Sequence, residues 1–168
     1  GGLCRSVKKD GFTFDFSGHL LHFRRKDTLL LVKSLLNGNL AKHKRSAWVH
    51  AFRRFVPCPF QANLFGLPKN IARECLASFI ETNTNGKKFS QANNLLDWIN
   101  KNFGRGISRH FMVPYNLKFW KTPLEDLSYE WTKRFIVLPS FKEIIEGAIG
   151  RRRKNLGYNS FFWYPQKG

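Results

Sequence analysis

Residues 111–120 hold the side chains best suited to bind a ligand. Tyr115, Asn116, Lys118 and Trp120 place a phenol, an amide, a cation and an indole in close succession. Because Pro114 disfavours a helical conformation for the residue before it, the sequence predicts that a helix ends here and that a loop follows. Loops that carry such groups on a rigid scaffold are frequent ligand sites. A well-packed aromatic loop without a ligand is the alternative that these residues leave open.

Two predicted helices precede this stretch and must position it. The first begins at Pro68, which suits a first helical turn, and runs to about Glu81. The second runs from Asn93 to Phe103 and ends at Gly104. Their apolar stripes are predicted to face the core through Ile71, Cys75 and Phe79 in the first helix and Leu95, Leu96, Ile99 and Phe103 in the second.

Short strands are predicted near both ends of the chain and in a hairpin before these helices. They cover residues 12–16, 46–52, 54–56 and 158–165. Alternation in the first of them places Phe12, Phe14 and Phe16 on one face. Asp27 is predicted to cap a short helix that runs to Leu36, and residues 141–149 form a further helix. The pattern indicates an α+β chain.

Composition indicates an ordered domain with an anionic partner. The chain has 168 residues, 42% of them hydrophobic, and includes 17 Phe and 5 Trp. That is enough apolar material for one domain with a core. Its formal net charge is +18, from 29 Lys and Arg against 11 Asp and Glu. Such a charge favours a nucleic acid, an acidic membrane surface or a phosphorylated small molecule as partner.

Several classes of site and location are not indicated. No apolar run approaches the roughly 20 residues of a membrane span. The 3 cysteines form no CxxC pair, so neither a zinc ribbon nor a disulfide framework is indicated, and a reducing, cytoplasmic location is the default expectation. The 5 histidines lack metal-ligand spacing, and we predict no metal site. No nucleic-acid-binding motif accompanies the positive charge.

Several stretches, taken in order, resemble the UDP-galactopyranose mutases, a branch of the glutathione-reductase-like and amine-oxidase-like flavoproteins. The matching stretches are residues 1–6 (GGLCRS), 17–19 (SGH), 56–61 (VPCPFQ), 111–120 (FMVPYNLKFW) and 157–168 (GYNSFFWYPQKG). The most specific is 111–120, which resembles the Phe-Met-x-Pro-Tyr-Asn-x-Lys-x-Trp segment of the mutases. The resemblance covers nearly the whole chain.

The resemblance implies FAD as cofactor and a UDP-sugar as substrate. It implies FAD contacts at Gly1, Gly2, Leu3, Arg5 and Ser6, with Gly18 and a catalytic His19 beside the isoalloxazine. It further implies that Phe60 and Gln61 hold the uridine, that Asn116, Trp120 and Asn159 line the substrate pocket, and that Arg134 faces the pyrophosphate. The implied reaction interconverts the pyranose and furanose forms of the sugar through a flavin–sugar adduct.

The chain also departs from the family pattern. Ser17 stands where the family has glycine, and Cys58 stands where the mutases often have a tyrosine that touches the nucleotide. The Gly-x-Gly-x-x-Gly turn is absent, so the resemblance implies a fragment of a Rossmann-like flavoprotein whose flanking segments lie before Gly1 and beyond Gly168. We expect this fragment alone to be inactive, with the remainder of the parent chain as its partner.

The same resemblance implies a division of the chain into parts. Residues 1–25 belong to the FAD-binding domain, and residues 26–66 form a helix and hairpin at the interface between substrate and FAD. Residues 67–135 form a mainly helical substrate-side subdomain, and residues 136–168 return to the sheet. Two alternatives stay open: an amine-oxidase-like or protoporphyrinogen-oxidase-like oxidoreductase of the same fold, and a basic polyanion- or nucleic-acid-binding domain supported by charge alone.

Overall fold

A computed structural model of the chain describes residues 2–84, 91–151 and 160–167. Contacts divide it into a terminal unit, Gly1–Arg45 with Tyr158–Gly168, and a central unit, Ser46–Gly157. Both strands and helices occur among the described residues, so the expected mixture of the two is confirmed. The functional division of the chain into four parts stays a prediction.

A tight hairpin opens the terminal unit. Strand β1 (Ser6–Lys9) pairs antiparallel with strand β2 (Phe12–Asp15), and Ser6 lies opposite Asp15. Asp10 and Gly11 join the strands with φ angles of 49° and 79°. Positive φ at both positions is what a two-residue turn with the twist of a hairpin requires, and Asp-Gly is a favoured pair there.

A helix and a second two-stranded sheet complete the terminal unit. Helix α1 (Lys26–Leu35) leads to strand β3 (Ala41–Lys44), which pairs antiparallel with strand β6 (Phe161–Tyr164). Leu21 adds a β-bridge to Trp163 on the other side of β6. The sheet therefore joins segments from the two ends of the chain.

The terminal unit encloses little apolar surface. Leu40 is the one hydrophobic side chain in its described part that is buried. Its exposed large apolar side chains include Phe12, Phe14, Phe16, Leu30, Leu31 and Leu35. The predicted face of Phe12, Phe14 and Phe16 therefore exists on the hairpin, but it faces solvent in this structure.

The central unit begins with a hairpin and is otherwise helical. Strand β4 (Trp48–Ala51) pairs antiparallel with strand β5 (Arg54–Pro57), as the sequence predicts. The helices that follow are two 3₁₀ turns (Phe60–Ala62, Leu64–Gly66), α2 (Lys69–Thr84), α3 (Leu95–Ile107), a π-helix (Ser108–Met112), α4 (Val113–Trp120), a 3₁₀ turn (Leu124–Asp126), α5 (Thr132–Phe135) and α6 (Phe141–Ala148).

A continuous apolar core holds these helices together. Its largest fully enclosed side chains are Phe60, Phe79, Phe103, Leu64, Leu95, Ile99, Ile107, Leu124 and Ile144. Cys75 and Phe79 of the predicted α2 stripe are buried, as are Leu95, Ile99 and Phe103 of the α3 stripe. Apolar positions at helical spacing therefore identified the inward faces of both helices.

Close packing of α2 against α3 depends on two glycines. A Cβ atom at Gly104 would overlap the Ser78 carbonyl group, and one at Gly106 would overlap the backbone of Glu74 and Cys75. Gly104 has a non-helical φ of 73°, yet the helix continues past it to Ile107. The predicted helix end at Gly104 is therefore a kink inside a longer element.

The predicted break at Pro114 is wrong. Pro114 occupies the first turn of α4, and the chain enters that helix directly from the π-helix. Proline is tolerated in a first helical turn, because its missing N–H and its fixed φ cost little there. Tyr115, Asn116 and Trp120 are consequently helical residues, and the helix ends only at Lys121, whose φ is 56°.

A second, smaller difference concerns α1. The cap position is Arg25, and Asp27 lies inside the first turn, where its carboxylate accepts a hydrogen bond from the Thr28 N–H. An acidic residue in the first turn still complements the positive end of the helix dipole.

None of the helices in the described part of the chain combines the length and the apolar composition that a membrane span requires.

Candidate functional site

The π-helix and α4 present a row of rings on one side of the central unit. Phe111, Tyr115 and Phe119 follow one another at a spacing of four residues, which stacks side chains along a helix face. Their ring centroids are 5.3 Å apart from Phe111 to Tyr115 and 6.2 Å apart from Tyr115 to Phe119. π-helical segments are frequent at functional sites.

The row continues at both ends into neighbouring elements. Phe60 stacks on Phe111 with centroids 4.5 Å apart. At the other end, Trp120 lies 4.9 Å from Phe119 and 5.3 Å from Trp131, both edge to face. We call the continuous set Phe60, Phe111, Tyr115, Phe119, Trp120, Trp131 and Phe135 the aromatic row; its last step, from Trp131 to Phe135, is 6.2 Å.

The middle and far end of the aromatic row are accessible. Tyr115 is 53% exposed and Phe119 is 64% exposed, and the side chains of Trp120 and Phe135 are also exposed. The Arg134 guanidinium lies over the Phe135 ring, 5.4 Å from its centroid. Exposed rings beside a guanidinium can stack on a planar base and pair with phosphate oxygens.

Three of the predicted substrate residues are instead buried. Phe60 is fully buried, and Gln61 donates from Nε2 to the Val137 carbonyl oxygen over 2.7 Å. Asn116 is buried too, and its Nδ2 donates to the Met112 carbonyl oxygen over 2.8 Å. These side chains stabilise the aromatic row and the segment after α5 through packing and hydrogen bonds. Trp120 and Arg134, by contrast, are exposed. Asn159 lies outside the described residues.

A polar cluster forms in the terminal unit around Asp15. Ser6 Oγ donates to Oδ1 of Asp15, and the Tyr164 hydroxyl donates to Oδ2. His19 Nδ1 lies 4.0 Å from the same Oδ2. We call Ser6, Asp15, His19 and Tyr164 the Asp15 cluster. It connects the first hairpin, the His19 segment and β6 through a single carboxylate.

The Asp15 cluster has a definite electrostatic character. Hydrogen bonds from Ser6 and Tyr164 hold the pKa of the Asp15 carboxyl below its ordinary value. The same carboxylate raises the pKa of the Tyr164 hydroxyl. Nε2 of His19 is buried and has no hydrogen-bond partner among the described residues. A buried ring nitrogen without a partner costs free energy, so it marks a position where a ligand group could bind.

The other predicted cofactor contacts are open to approach. Gly2 has φ of 56°, and neither Gly2 nor Gly18 has an atom near the position of a Cβ. Leu3 is exposed, and the Arg5 guanidinium lies 4.7 Å from the centroid of the Phe16 ring. Gly1 lies outside the described residues. Among the described residues that were predicted as cofactor contacts, Ser6 and His19 meet at the carboxylate of Asp15.

Sequence reasoning missed several residues of both clusters. Phe119, Trp131 and Phe135 belong to the aromatic row, and the four-residue spacing of Tyr115 and Phe119 could have revealed the first of them. Asp15 closes an alternating strand in a chain with few carboxylates, which was a usable signal. Tyr164 carried no local signal, because it lies 149 positions from Asp15.

Among the described residues, no group of three or more histidine, cysteine or acidic side chains is placed to hold a metal ion. A surface cavity of about 410 Å³ lies between residues 91–94 and 125–130 and includes the acidic residues Glu125, Asp126 and Glu130. It contains none of the residues proposed from the sequence. Its side chains belong to neither the aromatic row nor the Asp15 cluster.

Comparison with solved structures shows which enzyme this chain is similar to. No family model matches the chain. Among solved structures, the chain is similar to a crystal structure of reduced UDP-galactopyranose mutase, with a TM-score of 0.86 and 31% sequence identity. The similarity covers 100% of this chain and 36% of the mutase chain. The chain therefore spans about a third of the length of that enzyme, and its mixed fold is like that of a mutase segment.

Proposed function

We propose that this chain is a segment of an FAD-dependent, UDP-galactopyranose-mutase-like enzyme that interconverts the pyranose and furanose forms of a UDP-sugar. The observation that carries the proposal is the similarity to the reduced mutase over the whole chain at 31% identity. The aromatic row and the Asp15 cluster support it independently, because they offer surfaces of the kind that a nucleotide and a cofactor require.

The aromatic row would bind the nucleotide part of the substrate. Exposed Tyr115, Phe119 and Trp120 offer faces for a uracil ring, and stacking of a base on an aromatic side chain contributes about 1–3 kcal/mol. Arg134 would pair with the pyrophosphate, whose charge grows when UDP leaves the sugar. The buried side chains of Phe60, Gln61 and Asn116 would not contact the nucleotide. They would hold in place the segments that carry these groups.

The terminal unit would hold FAD in a Rossmann-like arrangement. Its described residues fit such a group, because Gly2 and Gly18 leave room for close approach and the buried Nε2 of His19 lacks a partner. In its reduced form, the bound FAD would supply the nucleophilic chemistry of the reaction. Arg5 would bind a phosphate group of the cofactor, and His19 would present a ring nitrogen to the bound flavin or sugar.

Titration of the chain with UDP and with uridine tests the nucleotide site. Calorimetry or amide NMR shifts should detect UDP binding, and Trp120→Ala should weaken it about 5- to 150-fold if a base stacks there. Trp48→Ala is the matched control, because Trp48 is an exposed tryptophan of the central unit outside the aromatic row. UDP binding that survives Trp120→Ala unchanged would contradict the assignment.

Arg134 is tested by the difference between the two ligands. Arg134→Gln should weaken UDP binding but leave uridine binding unchanged, because uridine lacks the pyrophosphate. The neighbouring exposed Lys133→Gln is the control for a general loss of positive charge. If Arg134→Gln and Lys133→Gln weaken UDP binding equally, and salt abolishes the binding, the result would instead favour non-specific polyanion binding.

The reaction itself is tested on a protein that extends this chain in both directions. After isolation with FAD and reduction with dithionite, it should convert UDP-galactopyranose to the furanose without net oxidation or reduction. We expect the 168-residue chain alone to give no turnover under the same conditions. Oxygen consumption with an amine or a porphyrinogen, without any UDP-sugar conversion, would favour the oxidoreductase alternative.

A further inference from the structure

The most informative unassigned feature is the carboxylate of Asp15. Each of its oxygens accepts a hydrogen bond from a hydroxyl group: Oδ1 from Ser6 and Oδ2 from Tyr164. The carboxylate therefore cannot rotate freely. Ser6 lies directly across the hairpin from Asp15, and Tyr164 is the last residue of β6, which pairs along β3. Two separate sheets of the terminal unit therefore determine where this negative charge lies.

His19 faces the fixed carboxylate with one ring nitrogen only. Nδ1 lies 4.0 Å from Oδ2 of Asp15, whereas Nε2 is buried without a partner among the described residues. In a neutral imidazole one nitrogen carries the proton and the other is an acceptor, and a nearby carboxylate favours the proton on the nitrogen that faces it. At 4.0 Å the contact is longer than a hydrogen bond and acts through charge alone. Attraction between the carboxylate and an N–H that faces it still favours a proton on Nδ1 and a bare lone pair on Nε2.

We propose that Asp15 is a positioning residue for His19: it holds the imidazole proton on Nδ1 and keeps Nε2 as a buried hydrogen-bond acceptor. The group that Nε2 accepts from is an N–H or O–H of a bound ligand. Only the identity of that ligand, a flavin or a sugar, rests on the proposed function. The tautomer itself is a property of this chain and is measurable without any ligand.

A second histidine provides a comparison, because it faces its carboxylate with the other ring nitrogen and at hydrogen-bond distance. In the central unit, His110 faces a carboxylate with Nε2, which lies 2.9 Å from Oε2 of Glu74. The same reasoning assigns the proton of His110 to Nε2. One chain therefore contains two histidines that should adopt opposite tautomers, each because of one carboxylate.

The test is long-range ¹H–¹⁵N NMR on the 168-residue chain without ligand, at a pH of about 9, where histidines are ordinarily neutral. Nitrogen chemical shifts distinguish a protonated ring nitrogen from a bare one. We expect His19 mainly as the Nδ1–H form and His110 mainly as the Nε2–H form. Asp15→Asn should remove the preference at His19 and leave His110 unchanged, and Glu74→Gln should do the reverse.

A second variant separates orientation from charge. Tyr164→Phe keeps the ring and the Asp15 carboxylate but removes one hydroxyl donor, so His19 should show a smaller loss of the Nδ1–H form than in Asp15→Asn. Circular dichroism reports whether each variant folds. If Asp15→Asn does not fold, the tautomer of wild-type His19 still tests the proposal, because the proposal requires that Nε2 carries no proton.

Two results would overturn the proposal. One is a wild-type His19 that is mainly protonated on Nε2. The other is a folded Asp15→Asn variant in which the Nδ1–H fraction of His19 does not change. Because no nucleotide or flavin is present, either result is independent of UDP binding, and failure of UDP to bind leaves the tautomer assignment intact.

Discussion

In the central unit, Phe79 and Ile144 are fully enclosed by other side chains, whereas in the terminal unit Phe14 is 56% exposed and Leu40 is the buried hydrophobic residue of the described part. Burial of apolar surface, at about 25 cal/mol per Å², is the main favourable term in folding. The central unit can therefore rely on its core. The terminal unit depends on a few polar side chains that connect its strands, chiefly Asp15 and Asn39.

This difference assigns separate tasks to the two regions. A dense core holds the helices of the aromatic row at fixed spacing, which suits recognition of a rigid nucleotide. The terminal unit leaves apolar faces exposed and carries the Asp15 cluster, whose geometry depends on hydrogen bonds between segments from both ends of the chain. Stability and candidate chemistry are therefore unevenly distributed along the sequence.

The largest expected effect is a cavity in the central core. Phe79→Ala should lower the free energy of unfolding by about 3–5 kcal/mol, because a buried ring is lost and the surrounding helices cannot collapse into the space. Urea unfolding followed by tryptophan fluorescence measures it. The control Phe14→Ala, at an exposed ring of the terminal unit, should change the value by only about 0.5 kcal/mol. Similar losses in both variants would refute the contrast.

A pair of glycines sharpens the comparison by contrasting a crowded position in the central unit with an open one in the terminal unit. Gly104→Ala should destabilise the chain by about 3 kcal/mol, from the overlap with the Ser78 carbonyl and the positive φ together. Gly38→Ala shares the positive φ, 78° against 73°, but has open space around the new methyl group. It should cost only about 1 kcal/mol. Denaturant titration of the two variants measures the difference, and equal costs would mean that packing at Gly104 contributes nothing.

Asn39 tests whether polar contacts hold the terminal unit. Its Oδ1 accepts from the backbone N–H groups of Gln166 and Lys167, and its Nδ2 donates to the Lys167 carbonyl oxygen, each over 2.9 Å. Asn39→Ala should reduce amide-exchange protection in β3 and β6 by about 1–2 kcal/mol. Asn39→Asp keeps the acceptor and should have an intermediate effect. Unchanged protection in Asn39→Ala would show that these bonds are not needed.

The smallest expected effect is the pH dependence contributed by Glu74. The hydrogen bond from His110 holds the pKa of Glu74 below its ordinary value of 4.5. A carboxyl whose pKa is lowered by folding stabilises the fold above its unfolded pKa, and this contribution disappears as the pH falls through the folded value. Glu74→Gln should therefore be less stable than the wild type at pH 7, with the difference disappearing at pH values below 4.5. A difference that persists in acid would exclude the His110–Glu74 hydrogen bond as the cause.

Local sequence patterns predicted elements of both units: β2, α1 and β6 in the terminal unit, and the β4–β5 hairpin, α2, α3 and α6 in the central unit. The hairpin of residues 48–57 and the inward faces of α2 and α3 follow from alternation and from helical spacing, which are local properties. The prediction at Pro114 failed because the effect of proline on a helix depends on its position. Proline breaks a helix when it lies in the interior, but it is tolerated in the first turn, where Pro114 lies. The site predicted around it stays a prediction, whereas the predicted loop conformation was wrong.

Local sequence patterns determined the β4–β5 hairpin, the helices α1, α2, α3 and α6, and the inward faces of α2 and α3. They also showed which rings and cations lie close together along residues 111–134. They did not predict β1, β3 or the helix that begins around Pro114. Only the tertiary structure decided that Phe60, Gln61 and Asn116 are buried while Trp120 and Arg134 are accessible. It alone brought Tyr164 to Asp15 and β6 to β3. The reason is physical: periodicity encodes contacts within a few residues, whereas pairing across more than a hundred positions depends on the free energy of the whole fold.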